Sequence, residues 1–126
     1  MSAPFKYCLL IDDNYIDNFV TSRILETASF AEKIEIFQSA SLAIEALRTG
    51  ASKPDVIFLD IRMPLMTGFE FLQEFETLTI DKSGIKIFML SSSLDPTDLR
   101  KSSDNKYVTQ FIHKPLTFEV LEEICT

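Results

Sequence analysis

The sequence is poor in the residues that build several common kinds of site: 126 residues hold no Trp, three Gly, two Cys and one His. Cys8 sits inside an apolar run and Cys125 next to the C-terminus, with no Cys/His pairing at metal-ligand spacing, so neither a disulfide scaffold nor a zinc site is expected. Gly50, Gly68 and Gly84 are isolated and no G-x-x-x-x-G-K-[ST] string exists, which excludes a glycine-rich cradle for ATP. No stretch approaches the ~18 consecutive apolar residues of a membrane span. Positive charge is scarce too: 12 Lys and Arg stand against 19 Asp and Glu, a net charge of −7, and only Arg100 and Lys101 are adjacent. Nucleic-acid backbones and anionic membranes demand a basic stripe, so direct binding to either is not expected. The reading is of a reduced, cytoplasmic protein.

What is present is ordinary globular material, 46% hydrophobic and 25% charged, with 11 Phe to fill a core. The length suits one domain over residues 1–126, with no linker or second module apparent. Five short apolar runs recur: Tyr7 to Ile11, Ile34 to Phe37, Val56 to Leu59, Ile85 to Leu90, and Val108 to Ile112. The first, the third and, within the fourth, Ile87 to Leu90 are continuous rather than alternating, as in strands buried on both faces of a parallel sheet. Between the runs lie helical spacings: Ile16, Phe19, Val20, Ile24 and Leu25; Leu42, Ala43, Ala46 and Leu47 after a Ser41 start signal; Phe69, Leu72 and Phe75; and Val120, Leu121 and Ile124. A fourth helix, weaker in apolar residues, is signalled by Asp95 as cap with Pro96 in its first turn, and Thr117 is the expected cap of the last. Strict strand and helix alternation forces crossovers, predicting an α/β fold: a (βα)5 doubly wound, five-stranded parallel sheet in three α/β/α layers.

In such open sheets, ligands bind beyond the C-terminal strand ends. There stand Asp12 and Asp13 after the first strand, Asp60 after the third, Ser91 after the fourth and Lys114 after the fifth. Three carboxylates together repel, and each is driven toward protonation unless a cation intervenes. Carboxylate oxygens, water and a backbone carbonyl are ligands that Mg²⁺ accepts, so an acidic Mg²⁺ pocket with a lysine on its rim is expected. That pocket suits phosphoryl transfer, with a carboxylate able to act as nucleophile.

The run Asp60-Ile61-Arg62-Met63-Pro64-Leu65-Met66-Thr67-Gly68, with Asp12-Asp13, Ser91 and Lys114-Pro115 at the other strand ends, resembles the receiver domain of two-component response regulators. The resemblance extends from Tyr7 to Ile124. It implies the flavodoxin-like, CheY-like fold, with Asp60 as phosphoacceptor for a phosphohistidine on a sensor histidine kinase or a histidine phosphotransfer protein. It further implies that Asp13 binds Mg²⁺ directly, Asp12 through a water, Asp60 itself and the backbone carbonyl of Arg62 completing the set. Lys114, before a cis bond to Pro115, would pair with a phosphoryl oxygen. Ser91 would hydrogen-bond another, and Ser91 with Phe111 would couple phosphorylation to a surface read by a downstream protein.

Three departures bear on mechanism. Phe111 stands where the family more often has Tyr, so a phenol contact is absent. Ser92 is a small neighbour of the switch hydroxyl. Arg62 and Ser93 flank the pocket at variable positions: the arginine either shields the phosphoryl group or pairs with Asp12 at rest. His113 is expected to be a strand-end residue, leaving the phosphoryl donor to a partner, and Met63, Met66 and Met89 to be packing residues. A haloacid-dehalogenase-like phosphatase is disfavoured, because Arg62 occupies the place of its general acid. A degenerate receiver, binding partners without phosphorylation, is disfavoured by the complete acidic, hydroxyl and lysine set. The expectation is a phosphoacceptor that catalyses its own phosphorylation and dephosphorylation, not a separate turnover enzyme.

Overall fold

A computed structural model describes residues 3–125. The strands are β1 (Phe5–Ile11), β2 (Ala31–Phe37), β3 (Val56–Leu59), β4 (Lys86–Ser91) and β5 (Val108–His113), and they alternate with α1 (Tyr15–Thr27), α2 (Ala40–Thr49), α3 (Gly68–Thr77), α4 (Pro96–Asp104) and α5 (Phe118–Ile124). All pairings are parallel and the strand order is β2-β1-β3-β4-β5, the doubly wound arrangement expected. The strand order reverses direction between β1 and β3, which opens a crevice at the carboxyl ends of those two strands.

Alternation along the central strands sends side chains to two cores. Leu9, Ile11, Ile57, Leu59, Ile87 and Met89 pack with Ala43 and Leu47 of α2 and Phe71, Leu72 and Phe75 of α3. Cys8, Leu10, Phe58, Phe88 and Leu90 pack on the other face with Leu25 of α1 and Leu121 of α5. That second core carries an aromatic row: Phe5 to Phe30 at 4.9 Å, then Phe30 to Phe58 and Phe58 to Phe88, each at 5.6 Å between ring centroids. Such pairs contribute about 0.5–1.5 kcal/mol each beyond their buried area.

The helix starts are set locally. Asn14, Ser39, Thr67, Asp95 and Thr117 each accept a backbone N–H of the first turn they precede. Asp95 with Pro96, and Thr117, are the caps expected; Ser41 is not, because the second helix begins two residues earlier, on Ser39. The α3 start is a reciprocal capping box between Thr67 and Glu70.

The larger correction concerns α1. Its apolar spacing predicts a core face through Ile16, Phe19, Val20, Ile24 and Leu25; Leu25 is buried and Ile24 partly so, but Ile16, Phe19 and Val20 are exposed, and the other buried positions are Asn18 and Thr21. The polar pair faces inward because the helix starts beside the acidic crevice: Asn18 Nδ2 donates to the Asp12 carbonyl at 2.7 Å, a bond that an apolar side chain could not make.

Candidate functional site

Parallel pairing brings the β1 and β3 ends side by side: Leu10 is opposite Phe58 and Ile11 opposite Leu59, and the Asp60 N–H donates to the Ile11 carbonyl at 2.9 Å. Asp12, Asp13 and Asp60 therefore leave the sheet together, with one carboxylate oxygen from each within 4.8 Å of the others. Asp12 and Asp60 are buried and Asp13 is exposed at the mouth. Asp12 is fixed on both sides, its Oδ1 accepting the Asn14 N–H at 2.9 Å and its carbonyl held by Asn18.

Asp60 Oδ1 accepts the Ile61 N–H at 2.9 Å, which leaves Oδ2 facing the crevice and Lys114. The loop behind it turns back tightly, Gly68 N–H donating to the Ile61 carbonyl at 2.9 Å. A Cβ on Gly68 would lie 2.4 Å from the Asp60 carbonyl oxygen, so glycine is required by close approach here rather than by its dihedrals. Burial pushes the Asp60 carboxyl up to about 6, the Asp12 charge adds to the rise, and Lys114 and the Ile61 N–H oppose it.

β5 delivers the counter-charge. The Lys114 N–H donates to the Ser91 carbonyl at 2.9 Å, tying the ends of β4 and β5, and the following peptide bond to Pro115 is cis, as the resemblance implied. Lys114 Nζ stands 2.7 Å from Asp12 Oδ2, 2.7 Å from Asp17 Oδ2 and 3.7 Å from Asp60 Oδ2. Its own burial disfavours the charge, but the hydrogen bonds to Asp12 and Asp17 and the field of Asp60 prevail and hold the ammonium above its ordinary range. Asp17 is a member of the cluster that the strand-end rule did not select. It belongs to the first turn of α1, three residues after the Asn14 cap.

Ser91, fully buried at the β4 end, accepts the Ser93 N–H at 3.1 Å. Phe111 on β5 is partly buried against the α2/α3-side core, so its ring does pack inward. Arg62 departs from the expected resting partner. Its guanidinium pairs not with Asp12 but with α4, 2.7 Å from Asp98 and 3.8 Å from Asp95. His113 is exposed, Cys8 is buried and Cys125 exposed, with both thiols free, and Met63 and Met89 are core residues.

The donor set fits a hard divalent cation such as Mg²⁺: carboxylate oxygens alone, gathered within one ion's reach, with a raised Asp60 that a nearby positive charge would lower. Other cavities are present as well. One of about 430 Å³ between Leu47, Pro54, Ile80 and Ile85 is mainly apolar and has no part in this chemistry. Among the described residues no helix is long and apolar enough to cross a membrane.

Comparison with known proteins agrees with the geometry. A family model described as the response regulator receiver domain matches residues 8–126. The chain is 30% identical over 118 residues to the probable methanogenesis regulatory protein FilR2 of Methanothrix harundinacea, covering 90% of this chain and 75% of that protein. It is 32% identical over 114 residues to a response regulatory protein of Vibrio cholerae, covering 90% of this chain but 44% of that protein. Among solved structures, a two-component response regulator from Cytophaga hutchinsonii superposes with a TM-score of 0.84 at 31% identity, covering 96% of each chain.

Proposed function

The chain belongs to the family of response regulator receiver domains, and from that premise we propose that Asp60 accepts a phosphoryl group from a phosphohistidine and thereby switches a protein-interaction surface. Two-component systems supply such donors on sensor histidine kinases or histidine phosphotransfer proteins. The observation that carries the reading is the placement of Asp60 in a crevice shared with two further carboxylates, its Oδ2 3.7 Å from the Lys114 ammonium.

Asp60 Oδ2 attacks phosphorus, the new O–P bond forms as the P–N bond to the donor imidazole breaks, and the imidazole nitrogen takes a proton from solvent as it leaves. Lys114 is placed to follow the arriving group, exchanging a carboxylate for a phosphoryl oxygen. Ser91 has a hydroxyl free to donate once it turns, since its present bond uses the oxygen as acceptor. Asp12, Asp13, Asp60 and the Arg62 carbonyl would hold Mg²⁺, which when bound neutralises charge that would otherwise build up among three carboxylates and a phosphoryl dianion. Dephosphorylation reverses the charge placement: water adds to phosphorus, the Asp60 carboxylate leaves, and the proton passes to solvent. The chain is thus a phosphoacceptor that promotes its own reactions, in the cytoplasmic setting that suits its free thiols. Ser91 and Phe111 carry the change to α4, β5 and α5.

The test is intact mass after incubation with acetyl phosphate, with Mg²⁺ and with EDTA, on the wild type and Asp60→Asn. One Mg²⁺-dependent phosphoryl addition that the variant lacks is expected. Equal labelling of the variant would remove Asp60 from the role.

A further inference from the structure

Asp98 is the one acidic residue of α4 that is buried, and it is nearly inaccessible. A buried carboxylate needs partners, and Asp98 takes both from the rim of the crevice. Arg62 Nη2 donates to its Oδ2 at 2.7 Å and Ser93 Oγ donates to the same oxygen at 2.6 Å. Arg62 lies two residues after Asp60, and Ser93 two residues after Ser91, whose Oγ its own N–H occupies at 3.1 Å. One carboxylate on α4 thus grips both residues that flank the phosphoryl site.

The guanidinium has a choice. It is tethered next to Asp60, most of its side chain is in solvent, and a phosphoryl dianion at Asp60 would offer it a bidentate partner. Asp98 competes for the same cation with a bond already formed and desolvated on one side. We propose that Asp98 is a positioning residue that withholds the Arg62 guanidinium from the phosphoryl group, keeping the crevice open to water and the phosphorylated state short-lived. Without that grip the guanidinium lies across the mouth of the crevice, pairs with the phosphoryl oxygens, and obstructs the line along which water reaches phosphorus. Asp95, 3.8 Å from the same guanidinium and largely exposed, is a weaker second hold.

The inference rests on phosphorylation of Asp60, and its test separates the two. The proteins are labelled with acetyl phosphate and Mg²⁺, donor is removed, and the decay of the phosphorylated mass is followed for wild type, Asp98→Asn, Arg62→Met and the double variant. Asp98→Asn is expected to slow the decay about threefold to tenfold, and the same substitution in the Arg62→Met background to change it less than twofold. A merely structural role for Asp98 predicts equal effects in both backgrounds, and that result, or unchanged or faster decay in Asp98→Asn, overturns the inference while leaving Asp60 as acceptor. A wild type that takes no phosphoryl group overturns the acceptor reading and this inference with it.

Should Asp98→Asn fail to fold, the wild type alone decides. NMR of the Arg62 guanidinium in the metal-free protein is expected to show its contact with the Asp98 side chain, and the contact is expected to persist after phosphorylation. Its absence in the first state, or its loss in the second, overturns the proposal.

Discussion

Lys114 Nζ stands 2.7 Å from Asp17 Oδ2, at the same distance as from Asp12 and 1.0 Å closer than to Asp60. The lysine is therefore anchored from a strand end and from a helix, and in this state it is held short of the residue it would serve. Asp17 keeps its place because the Asn14 cap fixes the first turn of α1, Asn14 Oδ1 accepting the Asp17 N–H at 3.0 Å.

Asp17→Asn removes one of the two close anchors while Asp12 remains. Because Asp17 is partly exposed, solvent screens the pair, and the expected loss of stability is below about 1 kcal/mol. Urea unfolding of the metal-free protein checks this, and a loss of several kcal/mol would mean that Asp17 is a structural residue in its own right.

Lys114→Ala leaves Asp12, Asp13 and Asp60 without their cation. The variant is expected to retain Mg²⁺ binding, measured by titration calorimetry, and to lose phosphorylation from acetyl phosphate or its conformational consequence. Wild-type behaviour in both assays would take Lys114 out of the mechanism.

The raised Asp60 carboxyl makes metal-free stability depend on pH. The folded state holds the Asp60 proton up to about 6, whereas an unperturbed Asp carboxyl lies at 3.8. Folded protein therefore binds more protons than unfolded protein in this interval, and stability falls as pH rises through it. The contribution is fully present below the lower value and lost above the upper one. Denaturation midpoints of the wild type compared with Asp60→Asn between pH 4 and 7, in EDTA, isolate this group. The relative decline should be absent in the variant and should be offset by Mg²⁺ at neutral pH.

Gly68→Ala is expected to be severe for a residue that touches no ligand. The added methyl group meets the Asp60 carbonyl at 2.4 Å, and the obstacle is backbone, so the loop or the end of β3 must move. Overpacking of this kind costs about 1–3 kcal/mol. The variant should also label more slowly at Asp60 under conditions where it remains folded. Full labelling at unchanged stability would show that the loop absorbs the methyl group.

The division of the α1 apolar face between exposed and buried positions gives a paired prediction. Phe19→Ala, at an exposed position, should change stability by less than about 0.5 kcal/mol. Leu25→Ala, at a fully buried one, should cost about 2–5 kcal/mol. Thermal melts of both variants suffice, and similar losses would restore the apolar spacing as the guide to this helix.

Much of the architecture was written locally. The continuous runs around Leu9, Phe58 and Met89 marked buried parallel strands because only a strand covered on both faces tolerates such runs. Asp95-Pro96 and Thr117 marked helix starts because capping is satisfied within one turn. The strand-end rule then located Asp12, Asp13, Asp60, Ser91 and Lys114 without any knowledge of distance. It passed over Asp17, which lies inside a helix, and periodicity misplaced Ile16, Phe19 and Val20, because α1 turns polar residues toward a polar crevice.

The amino-acid sequence by itself determined the order of elements, the layer arrangement and the residues at the carboxyl edge, since each follows from periodicity, capping and the handedness of crossovers. Only the tertiary structure decided which charge meets which. Arg62 had Asp12 within its chemical reach on paper and instead pairs with Asp98, 36 residues later. Lys114 divides itself between Asp12 and Asp17, 102 and 97 residues away. Charges on long side chains choose partners by distance and burial, and neither quantity exists until the sheet has brought its strand ends together.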